Sequence, residues 1–214
     1  MATRSPSASR RHRLQIGVVA LGLLPAASLA WRALAGDLGA NPIETVTHVT
    51  GESGLRLLLA SLAVTPLRRL FGWAWAAPLR RALGLLAFFY VSLHALTYVA
   101  LDHFFDWDLL LEDVLEHRYV TAGFLGFSCM LPLALTSTRA MMKRLGRRWV
   151  RLHRLAYVAA IAGVVHYLWL VKADLVPPLT YAAVLALLLG VRAWYALSAR
   201  RRPDSAKVAR SAAS

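Results

Sequence analysis

The chain has 214 residues, of which 58% are hydrophobic, and it carries a formal net charge of +14 at neutral pH. A soluble domain of this length is usually closer to one half apolar, with its apolar residues spread periodically, whereas here they form long blocks. The basic residues stand in separate groups at the ends of these blocks, which argues against a nucleic-acid-binding face. The single cysteine, Cys129, excludes a disulfide framework and an iron–sulfur cluster.

Six apolar segments approach the length of about 20 mainly apolar residues that a helix needs to cross a membrane. They are Leu14–Trp31, Ser53–Leu67, Leu79–Leu101, Tyr119–Leu135, Leu152–Val171 and Val176–Leu197. The second is the weakest because it is short and contains Arg56, whose long side chain can extend to the interface. Asn41 and Pro42 are typical of a helix start and predict a short interfacial helix before this segment. No internal repeat and no nucleotide-binding glycine motif is evident.

The first segment also has features of a secretory signal. Arg10–Arg13 precede an apolar run that ends in the small residues of 26–30, which resemble a cleavage site. Cleavage would leave five spans and place the new terminus outside. The apolar run is long for a signal, so we expect the segment to remain as the first span.

Charge alternates in sign along the connections between the segments. Basic residues dominate both tails and the second and fourth connections, whereas nearly all acidic residues lie in the first, third and fifth. Connections rich in Arg and Lys remain in the cytoplasm. The sequence therefore predicts an all-α integral membrane protein, a six-transmembrane-helix bundle of the bacterial inner membrane with both termini cytoplasmic. The helical domain would cover residues 14–198, between disordered tails at 1–13 and 199–214.

Three of the seven histidines lie within predicted spans, where an ionisable side chain is costly and indicates a functional site. His94 lies in the third span, 13 residues beyond Arg81. His166 lies in the fifth, 15 residues beyond Arg151, so both are about 20 Å above the cytoplasmic boundary. We predict that the two imidazoles face each other across one haem iron at the outer side of the bundle. A single such histidine would also be explained by a hydrogen bond to a neighbouring helix.

His153, the third of these histidines, precedes His166 by 13 residues, about 20 Å of helix, and therefore cannot share that haem. It would serve a second, inner cofactor, although the third span has Arg80 and Arg81 at this depth instead of a histidine. The alternative is an ordinary interfacial residue in a basic connection. Zinc, copper and proton-relay sites are disfavoured, because the spans offer almost no carboxylate and no cluster of thiolates.

Five stretches, in their order and spacing, resemble one bacterial family. They are Leu62–Arg69, Arg80–Leu85, Tyr90–His94, Leu135–Thr138 and Arg147–Tyr157. The family is that of the haem-binding membrane subunits of periplasmic methionine sulfoxide reductase systems, MsrQ, within the ferric-reductase-like transmembrane group. The resemblance covers nearly all of the chain except its tails.

The resemblance implies a subunit that binds one or two haems b and is associated with FMN. It implies that the functional histidines are His94, His153 and His166, with no catalytic residue in this chain. Electrons would come from the quinone pool or from a cytoplasmic flavin reductase. They would pass to a periplasmic molybdopterin subunit that reduces methionine sulfoxide in oxidised envelope proteins.

The length of the chain constrains how electrons enter and leave. Six spans leave only short connections and tails, so we expect no flavin- and nicotinamide-binding domain, and substrate reduction in a separate partner chain. The acidic connection Asp102–Arg118 is either part of a docking surface or an ordinary solvated loop. Two other functions stay open: a self-sufficient transmembrane ferric or cupric reductase, and a non-redox membrane protein with structural histidines.

Overall fold

The computed structural model describes residues 8–201, and every regular element in that range is helical. The helices are α1 Ala8–Leu34, α2 Pro42–Phe71, α3 Leu79–Thr97, α4 Trp107–Glu116, α5 Arg118–Leu135, α6 Arg139–Leu145, α7 Arg147–Leu152, α8 Leu155–Leu170 and α9 Val176–Arg201. A 3₁₀ turn at Ala74–Ala76 precedes α3, and a π-helical turn at Tyr98–Asp102 follows it. The predicted all-α class is therefore confirmed.

Within residues 8–201, four stretches are long and apolar enough to cross a membrane: His12–Leu34, Leu79–Asp102, Arg118–Leu135 and Val176–Ala199. Helix α2 has 30 residues but contains Glu52 and Arg56, and α8 has only 16 residues. Large apolar side chains such as Leu135, Leu187 and Trp194 are exposed on the outside of the bundle. Extensive exposed apolar surface marks a contact with lipid or another protein. Length, composition and surface together indicate a multi-pass membrane protein.

The ends of the chain are more helical than the sequence predicts. Residues 8–13, expected to belong to a disordered tail, form the first turns of α1. They contain no glycine or proline, and their alanine and arginines favour a helix. At the other end α9 continues to Arg201, beyond the predicted Leu197. The tail predictions for residues 1–7 and 202–214 lie outside the described residues.

The predicted interfacial helix and the second span form one continuous helix, α2. The side-chain oxygen of Asn41 accepts a 3.3 Å hydrogen bond from the backbone N–H of Glu44, and Pro42 occupies the first helical position. The helix ends at Phe71, where Gly72 adopts a left-handed conformation with φ of 68°. Glycine adopts this conformation without the penalty of a side chain, so it is the usual residue just beyond a helix end.

Two closely packed helix pairs, α2 with α3 and α5 with α8, form the centre of the bundle. A Cβ atom on Gly54 would come within 2.7 Å of the Val91 side chain, so α2 and α3 approach this closely only because Gly54 has none. Gly126 of α5 lies against Ala159 of α8 in the same way, at an ordinary contact distance. The free Cys129 is buried in the shared core. Helix α3 also contacts α1 and α5, and α9 packs against α2 and α8.

Candidate functional site

His94 and His166 lie next to each other between the two helix pairs. Their ring centroids, on α3 and α8, are 5.9 Å apart, and the ring planes are nearly perpendicular at 81°. Both rings line one cavity of about 480 Å³, a volume typical of cofactor sites. The structure thus brings together the two histidines whose depths the sequence makes equal.

Each of the two rings is held by a hydrogen bond to the backbone of a neighbouring helix. Nδ1 of His94 lies 3.0 Å from the carbonyl oxygen of Thr47 on α2, and Nδ1 of His166 lies 2.7 Å from that of Tyr119 on α5. Because a carbonyl can only accept, Nδ1 carries the proton and Nε2 keeps a lone pair for a metal ion. Metal-binding histidines usually have their second nitrogen bonded in this manner. The Nε2 atoms of both histidines are therefore available as ligands for a metal ion.

A glycine lies beside each ring. A Cβ atom on Gly51 would be 3.0 Å from Nδ1 of His94, and one on Gly123 would be 2.9 Å from Nδ1 of His166. The distance at Gly123 is shorter than real Cβ atoms show and that at Gly51 is at the limit, so a larger residue at either position would push against the ring. The two glycines allow the imidazoles to approach α2 and α5 closely enough to reach the carbonyls one turn earlier.

The two halves of the site repeat each other. In both, the histidine follows its carbonyl partner by 47 residues, and the glycine beside the ring lies one helical turn after that carbonyl. A second glycine follows three positions later, at Gly54 in α2 and Gly126 in α5. The α2–α3 pair thus corresponds to the α5–α8 pair. The sequence analysis found no internal repeat; the signal that it missed is a Gly-x-x-Gly motif at the same distance before each histidine.

His153 lies apart from this cavity. It occupies the turn between α7 and α8. The predicted span Leu152–Val171 therefore starts before this turn, whereas α8 itself starts at Leu155. The backbone N–H and the ring Nδ1 of His153 both bond to the Trp149 carbonyl, at 3.0 and 3.1 Å, which closes the last turn of α7. The imidazole also stacks on the Trp149 indole, with centroids 3.7 Å apart. In the repeat its counterpart is Arg81, since each lies 13 residues before the histidine of its pair.

An ion pair that the sequence analysis did not anticipate borders the cavity. Glu52, one residue before the predicted second span, lines the cavity from inside α2 and pairs with Arg56 one turn later. Arg56 also donates a 2.8 Å hydrogen bond to the Tyr181 hydroxyl on α9, and the Tyr167 hydroxyl on α8 donates to Glu52 at 3.4 Å. The network therefore balances the charge of Arg56, whose side chain is exposed on the outside of the bundle, and links α2, α8 and α9.

The acidic connection between α3 and α5 is folded against the carboxy-terminal end of α3. Its helix α4 begins at Trp107, and the N-cap residue Asp106 accepts hydrogen bonds from the N–H groups of Asp108 and Leu109. Asp113 accepts a hydrogen bond from the Tyr98 hydroxyl and lies 2.7 Å from Nδ1 of His117. His117 thus takes part in a side-chain contact within the connection, and the connection has a defined surface.

Comparison with known proteins places the chain in a family. A model described as the ferric reductase like transmembrane component matches residues 16–164. A relative from Rhodospirillum rubrum is 51% identical over 193 residues, which are 89% of this chain and 93% of the relative. One from Caulobacter vibrioides is 50% identical over 171 residues, 79% of this chain and 81% of the relative. One from Herminiimonas arsenicoxydans is 44% identical over 208 residues, 96% and 95% of the two chains.

All three relatives are named protein-methionine-sulfoxide reductase heme-binding subunit MsrQ. The identity extends over most of both chains in each comparison, and it includes the helices that carry the histidine pair. The chain therefore belongs to the MsrQ family, within the ferric-reductase-like transmembrane components.

Proposed function

We propose that this chain is a membrane electron-transfer subunit that passes electrons through haem b to a separate periplasmic methionine sulfoxide reductase. The observation that carries the proposal is the pair His94 and His166, with both Nδ1 atoms bonded to carbonyls and both Nε2 atoms free to bind iron. The names of the relatives state that they bind haem.

The residues around the cavity fit a haem. Imidazole nitrogens bind metal ions at about 2 Å, so two rings that hold one ion lie close together. The centroids of His94 and His166 are 5.9 Å apart, and the lining includes apolar side chains such as Leu55, Val91 and Met130. A bound haem accepts and releases single electrons. His94 and His166 would hold its iron, and their carbonyl bonds would fix both tautomer and orientation.

The position of the cavity favours transfer toward the outer side. It is lined by residues at the helix ends next to the acidic connections, including Asn41, Asp102 and Tyr119. The ordered connection around α4 would contribute to the surface that a periplasmic molybdopterin subunit contacts. We propose a membrane quinol or a cytoplasmic flavin reductase as the donor. FMN stays a prediction from the family resemblance, without assigned residues.

A second haem at His153 also stays a prediction. Its imidazole has Nδ1 bonded to a carbonyl, which would leave Nε2 for a metal ion, as in the outer pair. The repeat places Arg81 at the corresponding position of the α2–α3 pair, so a second iron ligand would have to come from elsewhere. The outer pair is therefore the site on which the proposal rests.

An absorption spectrum tests the proposal directly. Protein purified in detergent after expression with ample iron is expected to show low-spin b-type haem, at one haem per chain or more. Reduced protein should be reoxidised when the periplasmic reductase subunit and methionine sulfoxide are added together. Colourless protein would overturn the proposal. Rapid reduction of ferric or cupric ions without the reductase subunit would indicate the metal reductase instead.

We infer further that six helices cross the membrane (α1, α2, α3, α5, α8 and α9) and that both termini are cytoplasmic. The Glu52–Arg56 pair supports a crossing by α2, because the two charges neutralise each other. Green fluorescent protein fused after Ser214 should therefore fluoresce. Alkaline phosphatase, which folds only in the periplasm, should be inactive at the same position. Insertion of the phosphatase after Asp106 should give the opposite result. An active phosphatase at the carboxy terminus would refute the topology.

A further inference from the structure

Three arginines from three helices meet at the end of the bundle opposite the acidic connections. Arg192 of α9 contacts α2 at the Leu62 carbonyl, two turns before Arg69, and the backbone carbonyl of Arg80 of α3 accepts a 3.0 Å hydrogen bond from the neighbouring Ser61 hydroxyl. The Arg69 guanidinium lies 5.3 Å from the centre of the Tyr195 ring, and that of Arg192 lies 5.2 Å from the centre of the Tyr157 ring. We refer to Arg69, Arg80 and Arg192 as the arginine cluster.

A proline in α2 fixes the position of Arg192. Pro66 has no N–H, so the carbonyl of Leu62, four residues earlier, lacks its helical hydrogen bond. Nη2 of Arg192 donates to this carbonyl at 2.5 Å, and Nη1 donates to the Tyr157 hydroxyl at 2.9 Å. Both acceptors are neutral, so these bonds orient the guanidinium without balancing its charge.

The third nitrogen of the Arg192 guanidinium has no hydrogen-bond acceptor in the described part of the chain. This nitrogen, Nε, is buried. No ion pair found between residues 8 and 201 includes a member of the arginine cluster. Over the same range the acidic residues lie only in the segments 37–52 and 102–116 and at Asp174, next to the opposite helix ends. A guanidinium at the edge of a membrane is more stable with an anion beside it, and the described residues supply no acidic side chain at this end of the bundle.

We propose that the arginine cluster binds a phosphate group between α2, α3 and α9. The planar guanidinium forms paired hydrogen bonds with phosphate oxygens, and basic pockets between helices at the cytoplasmic side bind anionic lipid head groups. The phosphate would belong to an anionic phospholipid of the inner leaflet or to a soluble phosphate monoester such as FMN. A cytoplasmic position rests on the proposed topology, whereas phosphate binding does not. The bound group would connect α9 to the α2–α3 pair.

Two double variants with equal loss of charge test the site. The double variant Arg69→Gln with Arg80→Gln removes two members of the arginine cluster. It keeps Arg192, whose hydrogen bond to the Leu62 carbonyl supports α2 next to Pro66. Arg68→Gln with Arg81→Gln removes the neighbouring arginines in the sequence, which are exposed as Arg69 is but do not belong to the cluster. Circular dichroism and gel filtration would establish that both variants are folded. Native mass spectrometry would compare the retention of phosphatidylglycerol with that of phosphatidylcholine. Fluorescence would compare the binding of FMN with that of riboflavin, with inorganic phosphate as a competitor.

Wild-type protein should prefer one of the phosphate-bearing ligands. Preferential retention of phosphatidylglycerol identifies the lipid, whereas binding of FMN but not riboflavin, reversed by inorganic phosphate, identifies the soluble ester. The cluster variant should bind that ligand about fivefold more weakly or worse, and the adjacent variant should change its affinity by less than about twofold. The proposal is wrong if the wild type prefers none of these ligands, or if both variants lose binding equally. Neither measurement depends on haem, so its outcome is separate from that of the proposed function.

Discussion

Replacing His94 or His166 with alanine is expected to abolish the low-spin haem absorption of the purified protein. Each substitution removes one of the two nitrogens that line the cavity from opposite helix pairs. Loss of an iron ligand should lower haem content by at least about tenfold, since even the partners of such ligands contribute that much to metal affinity. The measurement is the haem-to-protein absorbance ratio of wild type and variants prepared in parallel.

The matched control for this experiment is His153→Ala, which removes a histidine of the same chain outside the cavity. This variant should keep the absorption of the outer haem, because His153 lies in the turn before α8. Added imidazole should partly restore the spectrum of His94→Ala by occupying the space of the missing ring. If His153→Ala alone lost the low-spin signal while the other two variants kept it, the pairing of His94 with His166 would be refuted.

Adding a single methyl group at Gly51 or Gly123 is expected to weaken haem binding nearly as much. The new Cβ atom would lie 3.0 Å from Nδ1 of His94 or 2.9 Å from Nδ1 of His166, so we expect the ring to shift and its carbonyl bond to weaken. Loss of such a supporting bond typically costs about 10–100-fold in metal affinity. The haem midpoint potential should shift as well, because this bond raises the basicity of the ligand. Haem retention during dilution and a redox titration measure the two effects.

Gly17→Ala and Gly190→Ala provide controls of identical chemistry. Both positions are helical, and apart from the local helix backbone no described atom lies within 4 Å of the Cβ that the substitution would introduce. Alanine stabilises a helix relative to glycine by about 1 kcal/mol, so all four variants gain helix propensity. A loss confined to Gly51→Ala and Gly123→Ala therefore arises at the histidine rings. Equal behaviour of the four variants would show that the glycines do not position the imidazoles.

Much of the helical framework could be predicted, because it depends on local composition. The third predicted span begins at Leu79 and the fourth ends at Leu135, as α3 and α5 do, and the sixth begins at Val176 with α9. Blocks of apolar residues bounded by charge are sufficient to define such helices. The regular rise of a helix also gave His94 and His166 equal depths. These properties need no knowledge of which helices are neighbours.

Contacts between helices could not be predicted in this way. Nothing in the sequence around Gly51 indicates that the His94 ring lies beside it, as it does in the structure. Arg192 is an unexplained charge in the last span until the carbonyl released by Pro66 is found next to it. Glu52 lies outside the predicted second span, yet in the structure it is within α2 and paired with Arg56. In each case the partner is decided by packing, which local periodicity does not encode.

The sequence by itself determined that the chain is helical, that it has the composition of a membrane protein, and that two of its histidines lie at one depth. Only the tertiary structure decided that these histidines are 5.9 Å apart and that both Nδ1 atoms bond to carbonyls 47 residues earlier in the chain. The physical reason is that the axial position of a residue follows from counting along one helix. The direction in which its side chain points and its neighbours depend on how two helices pack. Glycines such as Gly51 and Gly123 allow close packing because they have no side chain.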